Sequence, residues 1–365
     1  MLKNEIWRSY GTDYTEMTKR LLRQTDMAAG IPSVSSRIAI KPNLVTPSPA
    51  SFGGTTHPEI VAGIIEYLQE KGYRDITIAE GSWVGDRTAE AFEYCGYNAL
   101  AAKYGVRLLD TQKEKYFTAD CAGESLRICA CVRDWDFLIN VPVLKGHCRT
   151  HITCALKNMK GLIPNSEKRR FHTMGLHRPI AHLNSFIRQD FIVVDHICGD
   201  LDFEEGGNPV TRNCVMAAAD PVLTDAYVCS LLHYETDEVP YIRMAESLGA
   251  GSADLSSLRL VTCEGEPHED LPRERRLLDV RYAVDESDSC SACYGTLIPA
   301  LERLKKEGLL DSLRETISIG QGHRGKTGRI GIGNCTSGFD FCVKGCPPSE
   351  EEIYEGLRSW LEAHA

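Results

Sequence analysis

The chain has 365 residues, 42% of them hydrophobic, which is material for two or three packed domains. A formal net charge of -10 and a pI near 5.6 speak against a general nucleic-acid binder, which would present a basic face. Met1 to Arg8 has no apolar leader core and no later stretch offers the roughly 18 apolar residues of a spanning helix, so a cytoplasmic protein without membrane or nucleic-acid partners is expected.

Arg37 to Ile40 predicts a buried strand, and Ile60, Val61, Ile64, Ile65 and Leu68 stand at helical spacing between His57 and Lys71. Asp75 to Ala79 is the next strand. The polar loop Glu80-Gly81-Ser82 and a helix from Ala89 to Cys95 follow, which makes a βαβ unit with polar residues at its strand's carboxyl end. Trp135 to Val143 and Phe191 to Asp195 predict two more buried strands, and Asn213 to Ala218 a third. The alternation implies an α/β fold, a mostly parallel sheet with helices on both faces, plus a small C-terminal cysteine-bearing cluster domain. The expected boundaries are a body over 1–251, a connection over 252–288 that carries Pro267, Pro272 and the charged run Arg273 to Arg276, and a tail over 289–365.

Leu144 to His182 is densely basic within an acidic protein. Lys145, His147, Arg149, Lys157, Lys160, Lys168, Arg169, Arg170 and His172 face almost no acid but Glu167. This excess, just after a strand end, suits a phosphate- or carboxylate-bearing ligand; for any single residue the alternative is a solvated charged face. His147 and His151 also stand at metal-ligand spacing. The acids of the next loop, Asp195, Asp200, Asp202, Glu204 and Glu205, could coordinate a divalent metal or simply form a polar turn.

Of fifteen cysteines, ten are scattered through strand and helix patterns and read as buried reduced thiols, which points to an anaerobic or reducing cell. The other five lie in the tail. Cys290 and Cys293 form a CxxC pair, Cys335 lies on a Gly-rich stretch and Cys346 precedes Pro347-Pro348; together they offer four thiolates for a 4Fe–4S cluster. Cys342 sits between Phe341 and Val343 and is left out as apolar packing. Gly331, Gly333, Gly338 and Gly345 are expected to give N–H donors to the sulfurs. A four-cysteine zinc site is the rival, although the second half of the set is not a CxxC knuckle. Gly320 to Gly328 matches two phosphate-cradling patterns without the strand–loop–helix context they need, and is read as a basic loop covering the cluster.

Lys41-Pro42-Asn43, the Lys145-Gly146-His147 strand exit, Lys157-Asn158-Met159-Lys160-Gly161 and His172 together resemble the domain of unknown function 362 family over roughly residues 36 to 235. The resemblance implies an α/β fold often associated with iron–sulfur centres, and a polar site built from Lys41, Asn43, Lys145, His147, Lys157, Asn158 and His172. Many relatives carry a closely repeated CxxCxxC tail, which this chain lacks; its Gly-Cys-Pro-Pro ending is similar to a cluster-binding turn of small hydrogenase and complex-I-type subunits. Lys145, His147, Lys157 and His172 are therefore the catalytic candidates. Lys41, Asn43, Lys145, Lys157, Asn158 and Arg169 are the substrate contacts, and Cys290, Cys293, Cys335 and Cys346 the metal ligands. The expected function is an iron–sulfur redox enzyme or electron-transfer component that acts on an anionic small molecule and takes electrons from an external donor such as a ferredoxin. The alternative is a non-redox ligand-binding protein whose tail holds a structural zinc or cluster.

Overall fold

Side-chain alternation along the central strands decides the architecture. The computed structural model describes residues 1–267, 271–272 and 279–364, so the run Arg273 to Arg276 lies outside the described residues. Two units result, residues 1–146 with 150–271, and residues 147–149 with 272–365.

In the first unit the strands are β1 (Glu5–Tyr10), β2 (Ile38–Pro42), β3 (Ile76–Glu80), β4 (Arg107–Asp110), the hairpin β5 (Tyr116–Cys121) and β6 (Glu124–Cys129), and β7 (Phe137–Val141). The short β8 (Lys145–His147), whose last residue is counted with the second unit, and β9 (His151–Thr153) follow, then β10 (Phe191–Asp200), β11 (Pro209–Ala218) and β12 (Arg259–Glu264). Eight of them form one sheet in the order β12-β1-β11-β10-β7-β2-β3-β4. The strand β11 runs antiparallel to both neighbours and every other pair is parallel.

Both faces are covered. Ile38, Ile40, Ile139, Val193, Val215 and Ala217 pack into one apolar core with the helices α1 (Tyr14–Gln24), α2 (Pro58–Glu70), α3 (Thr88–Tyr94) and α4 (Tyr97–Tyr104). Their alternate neighbours Ala39, Leu138, Ile192, Val194, Met216 and Ala218 pack into the other. That core is closed by α5 (Ala155–Asn158), α6 (Asn165–Thr173), α7 (His177–Phe186), α8 (Pro221–Leu231), α9 (Pro240–Ser247) and the hairpin. Period-two burial on both faces is what crossover helices impose on a parallel sheet. Proline at the first turn and the Asp220 carboxylate, which accepts from Val222 N and Leu223 N at 2.9 Å, start α8.

Two stretches fold differently from the sequence reading. Asp195 to Asp200 continues β10 instead of opening a loop, because Ile197 is buried and the ladder to β11 runs on through Gly199 and Asp200. The stretch read as a connection contains β12, an edge strand of the large sheet, and β13 (Val284–Glu286). Eight of the ten scattered cysteines are buried and all fifteen are free thiols.

The second unit is a four-stranded parallel sheet, β13, β14 (Ile317–Ile319), β15 (Ile330–Ile332) and β16 (Phe341–Val343), in sequence order. The helices Ser291–Lys306 and Glu350–His364 pack on each other, and bury Leu297, Leu301, Leu304, Ile353, Leu357 and Leu361.

Candidate functional site

The parallel neighbours β10, β7, β2 and β3 bring their carboxyl ends to one edge, where ligands of open α/β sheets bind. That edge is lined with buried lysines. Lys41 is fully buried, and its ammonium contacts Glu80 Oε1 at 2.9 Å, Glu80 Oε2 at 2.8 Å, Pro42 O at 2.8 Å and Asn158 Oδ1 at 3.1 Å. Burial pulls its pKa down and the Glu80 carboxylate opposes that. Gly161 is required at this point: a Cβ there would collide with Glu80 Oε1 and Lys41 Nζ.

Asn158 fixes the three sequence segments against one another. Its Oδ1 accepts from Asn43 Nδ2 at 2.9 Å as well as from Lys41, and its Nδ2 donates to Asn140 Oδ1 at 2.7 Å. Asp225 of α8 holds the segment from behind by accepting from Ala155 N at 2.7 Å and Leu156 N at 3.2 Å. Lys157 is ion-paired with Glu204 Oε2 at 2.6 Å and donates to Thr153 Oγ1 at 2.9 Å.

Three further lysines have no carboxylate partner among the described residues. Lys145, fully buried, donates to Asn43 Oδ1 at 2.9 Å, to the Glu204 carbonyl at 2.6 Å and to the Gly54 carbonyl. Lys168, also buried, donates to Gly81 O at 2.9 Å and Ser82 O at 2.7 Å. The ammonium of the half-buried Lys160 forms no hydrogen bond or ion pair among the described residues. Burial pulls Lys145 and Lys168 to about 8, and burial with the neighbouring Lys157 ammonium pulls Lys160 to about 7. Opposite them, burial and the Glu204 charge push Glu205 up to about 7.

The first unit therefore gathers Lys41, Asn43, Lys145, Lys157 and Asn158. Two expected members lie elsewhere on α6: Arg169 is exposed and His172 half-buried. His147 belongs to the second unit, where its Nδ1 accepts from Arg149 N at 3.0 Å. Sequence reasoning did not assign Glu80, Lys160, Lys168 or Asn140 to the site. Glu80 was marked by its place at a strand end and the two lysines by the basic run, whereas Asn140 carried no signal inside an apolar strand. Asp200 accepts from Asp202 N at 2.9 Å, Phe203 N at 3.0 Å and Asn208 N at 3.0 Å, which makes it a turn-forming carboxylate.

In the second unit Cys293 is buried, and its thiol is pushed up first by Cys290, then by burial and by Cys346 and Cys335. Arg324, in the Gly320 to Gly328 loop, donates from Nε to Cys335 Sγ at 3.4 Å, and the loop continues into β15 without an α-helix. Gly333, at φ 83°, lies where a Cβ would come to 3.5 Å from Cys293 Sγ. Two glycine N–H groups expected on sulfur are used otherwise: Gly333 N donates to Val343 O at 2.8 Å and Gly345 N to Asn334 Oδ1 at 3.0 Å. Cys342 Sγ lies 3.5 Å from both Thr336 Oγ1 and Gly333 O. Among the described residues no three His, Cys, Asp or Glu side chains converge on the spacing of a single bound ion. Four free thiols, of which Cys290, Cys335 and Cys346 act on Cys293, beside the Arg324 guanidinium fit the donor set of an anionic iron–sulfur cluster.

No helix among the described residues is long and apolar enough to cross a membrane. A thylakoid-associated protein of Synechocystis is 25% identical over 224 residues, which cover 58% of this chain and 68% of that protein. Among solved structures, the lactate racemase apoprotein of Thermoanaerobacterium thermosaccharolyticum is similar at a TM-score of 0.43 and 11% identity, over 62% of this chain and 56% of that one. A Thermotoga maritima protein is similar at 0.37 and 13%, over 68% and 60%. The chain thus spans less than two thirds of either solved chain. The family described as Domain of unknown function (DUF362) matches residues 38–230, more than half of the chain and the whole stretch that carries the buried lysines, and the chain belongs to that family.

Proposed function

We propose that the protein is an iron–sulfur oxidoreductase or electron-transfer component of the cytoplasm whose α/β unit binds a small phosphate- or carboxylate-bearing anion. The observation that carries the anion reading is the desolvation of Lys145, Lys160 and Lys168 with no carboxylate partner among the described residues. An anion about 4 Å from one such ammonium gains roughly 4 kcal/mol at an effective dielectric near 20, so an occupant that touches two of them offsets much of their desolvation. Asn43 and Asn158 orient the site, while Glu80 and Glu204 hold Lys41 and Lys157 as fixed positive ends. The grouped sulfurs of Cys290, Cys293, Cys335 and Cys346 support a 4Fe–4S cluster in the second unit. When bound, it would supply one-electron transfer, fed by an external donor such as a ferredoxin.

Calorimetric titration with inorganic phosphate and with a dicarboxylate, together with iron and sulfide assays on anaerobically isolated protein, tests both halves. Phosphate or carboxylate binding that weakens about tenfold or more in Lys145→Ala and Lys157→Ala is expected from the loss of a charge-assisted hydrogen bond. Wild-type protein that binds neither anion at millimolar concentration would remove the first half. Colourless anaerobic protein holding one zinc would remove the second.

A further inference from the structure

We infer that Cys198, His57 and Asp195 form a nucleophilic site, with the thiol facing an imidazole that the carboxylate holds in place. His57, which precedes α2, has its Nδ1 2.9 Å from Asp195 Oδ2, and its backbone N donates to the same oxygen at 2.7 Å. Asp195 Oδ1 accepts from Ile197 N at 3.0 Å, so the carboxylate is locked by backbone on both sides. This leaves His57 Nε2 towards Cys198 Sγ at 4.0 Å, the open end of the range for a thiol–imidazole pair before a substrate tightens it. The order nucleophile, base, orienting acid is the pattern that activates a thiol.

The strand is irregular where the pattern needs it. On an unbroken strand residues three apart point to opposite faces, which would separate Asp195 from Cys198. The pairing of β10 with β11 shifts register between His196 and Cys198, with the extra residue on β11 beside Asn213 at φ 49°, and the added local twist re-aims the Cys198 side chain. Both side chains therefore reach His57. Tyr14 closes the remaining side, its ring edge-on to His57 at 5.7 Å and its hydroxyl donating to Asn213 Oδ1 at 2.8 Å. Burial lowers the imidazole's affinity for a proton, but Asp195 and Cys198 more than offset this, so Nε2 is a stronger base than a free imidazole when it takes the Cys198 proton.

One loop joins this site to the lysines: Cys198 Sγ donates to Ala50 O at 3.4 Å, and Lys145 donates to the Gly54 carbonyl. The substrate class that follows, resting in this clause on the anion reading, is an aldehyde or keto acid with a carboxylate or phosphate. The Cys198 proton passes to His57 Nε2 and the thiolate adds to the carbonyl carbon. A C–S bond forms, the C=O pair moves to oxygen, and that oxygen takes the proton back from Nε2. The product is a hemithioacetal or hemithioketal, and no further reactant is consumed.

The test is alkylation of the native full chain at pH 7, in which C–S forms as iodide leaves, with the rate at each cysteine read by peptide mass spectrometry. Iodoacetamide should modify Cys198 on the order of tenfold or more faster than the fully buried Cys154 and Cys229. His57→Gln should remove that advantage while Cys154 stays protected. Protection of Cys198 equal to that of Cys154 in the wild type would overturn the proposal, whether or not the variant folds. Iodoacetate should outpace iodoacetamide at Cys198, and Lys145→Ala should level the two. Equal rates in the wild type with Cys198 still fast would overturn the lysine-site reading and support the thiol site alone.

Discussion

Removing Lys145 should change the pH dependence of folding in a direction fixed by its burial. In the folded chain Lys145 titrates near 8 against 10.5 for an ordinary lysine, and burial is the largest cause. Between those values the unfolded chain keeps the proton and the folded chain releases it, so stability rises with pH across that window, and below pH 8 the whole penalty is present. A shift of about 2.5 units at 1.36 kcal/mol each is roughly 3 kcal/mol. Lys145→Met lacks this contribution. The buried cysteines and His57, whose raised pKa values oppose the rise, are common to both proteins and cancel in the difference. Glu205 titrates near 7 with Lys145 among the charges that lower it, so its rise in the variant adds to the difference and does not oppose it. The expected result is that the unfolding free energy of wild type minus that of Lys145→Met climbs by about 3 kcal/mol from pH 7 to pH 10.5. Urea unfolding followed by tryptophan fluorescence suits the measurement, because Trp7, Trp83 and Trp135 lie in the first unit and only Trp360 in the second. A flat difference curve would show that Lys145 keeps its proton throughout, and would refute the claim that its ammonium is held at a cost.

Lys41→Met should destabilise the first unit by about 3–5 kcal/mol in the same urea assay, since it leaves Glu80 buried without its counter-charge, and Lys41→Met with Glu80→Gln should recover part of the loss. A single-variant cost below about 1 kcal/mol would mean that the pair is solvated. In the second unit, Cys346→Ser should abolish iron binding by anaerobically isolated protein, whereas Cys342→Ser, whose sulfur contacts Thr336 and Gly333, should keep it. Iron lost from the Cys342 variant and retained by the Cys346 variant would exchange their roles.

The α/β sheet was legible because its strands are buried on both faces and so read as continuous apolar runs: Ile38 to Ile40, Ile76 to Ala79, Phe137 to Val141 and Phe191 to Val194. The strand β12 was not, since Arg259, Leu260 and Glu264 are exposed on a sheet edge and its neighbourhood is rich in charge and proline. The lysine site was half legible. Composition located the basic run, but charge patterning cannot tell Lys168, buried on α6 against two carbonyls, from Arg169 beside it, which is exposed. Helical geometry turns adjacent residues about 100° apart, so one faces the sheet edge and the next faces water. The thiol site was invisible for a different reason. His57 and Cys198 are 141 residues apart, and no residue pattern marks the register break between β10 and β11 beside Cys198.

Five buried polar side chains of the first unit, Glu80, Lys41, Asn158, Asn43 and Lys145, form one connected line. Glu80 holds Lys41, Lys41 and Asn43 share the Asn158 oxygen, and the Asn43 oxygen accepts from Lys145. Each amide is thereby oriented by an ammonium at one end. Asn158 must present oxygen to Lys41 and nitrogen to Asn140, and Asn43 must present oxygen to Lys145 and nitrogen to Asn158. Neutral amides transmit orientation without neutralising charge, so Lys145 is positioned without an ion pair of its own, the Glu204 and Glu205 carboxylates acting on it from beyond contact. Aspartate in either place would satisfy the geometry and stabilise the fold, and it would also fill the electrostatic vacancy an anion is proposed to occupy. Asparagine at both positions is what a site needs when it must hold its cations rigidly and leave their charge for a ligand.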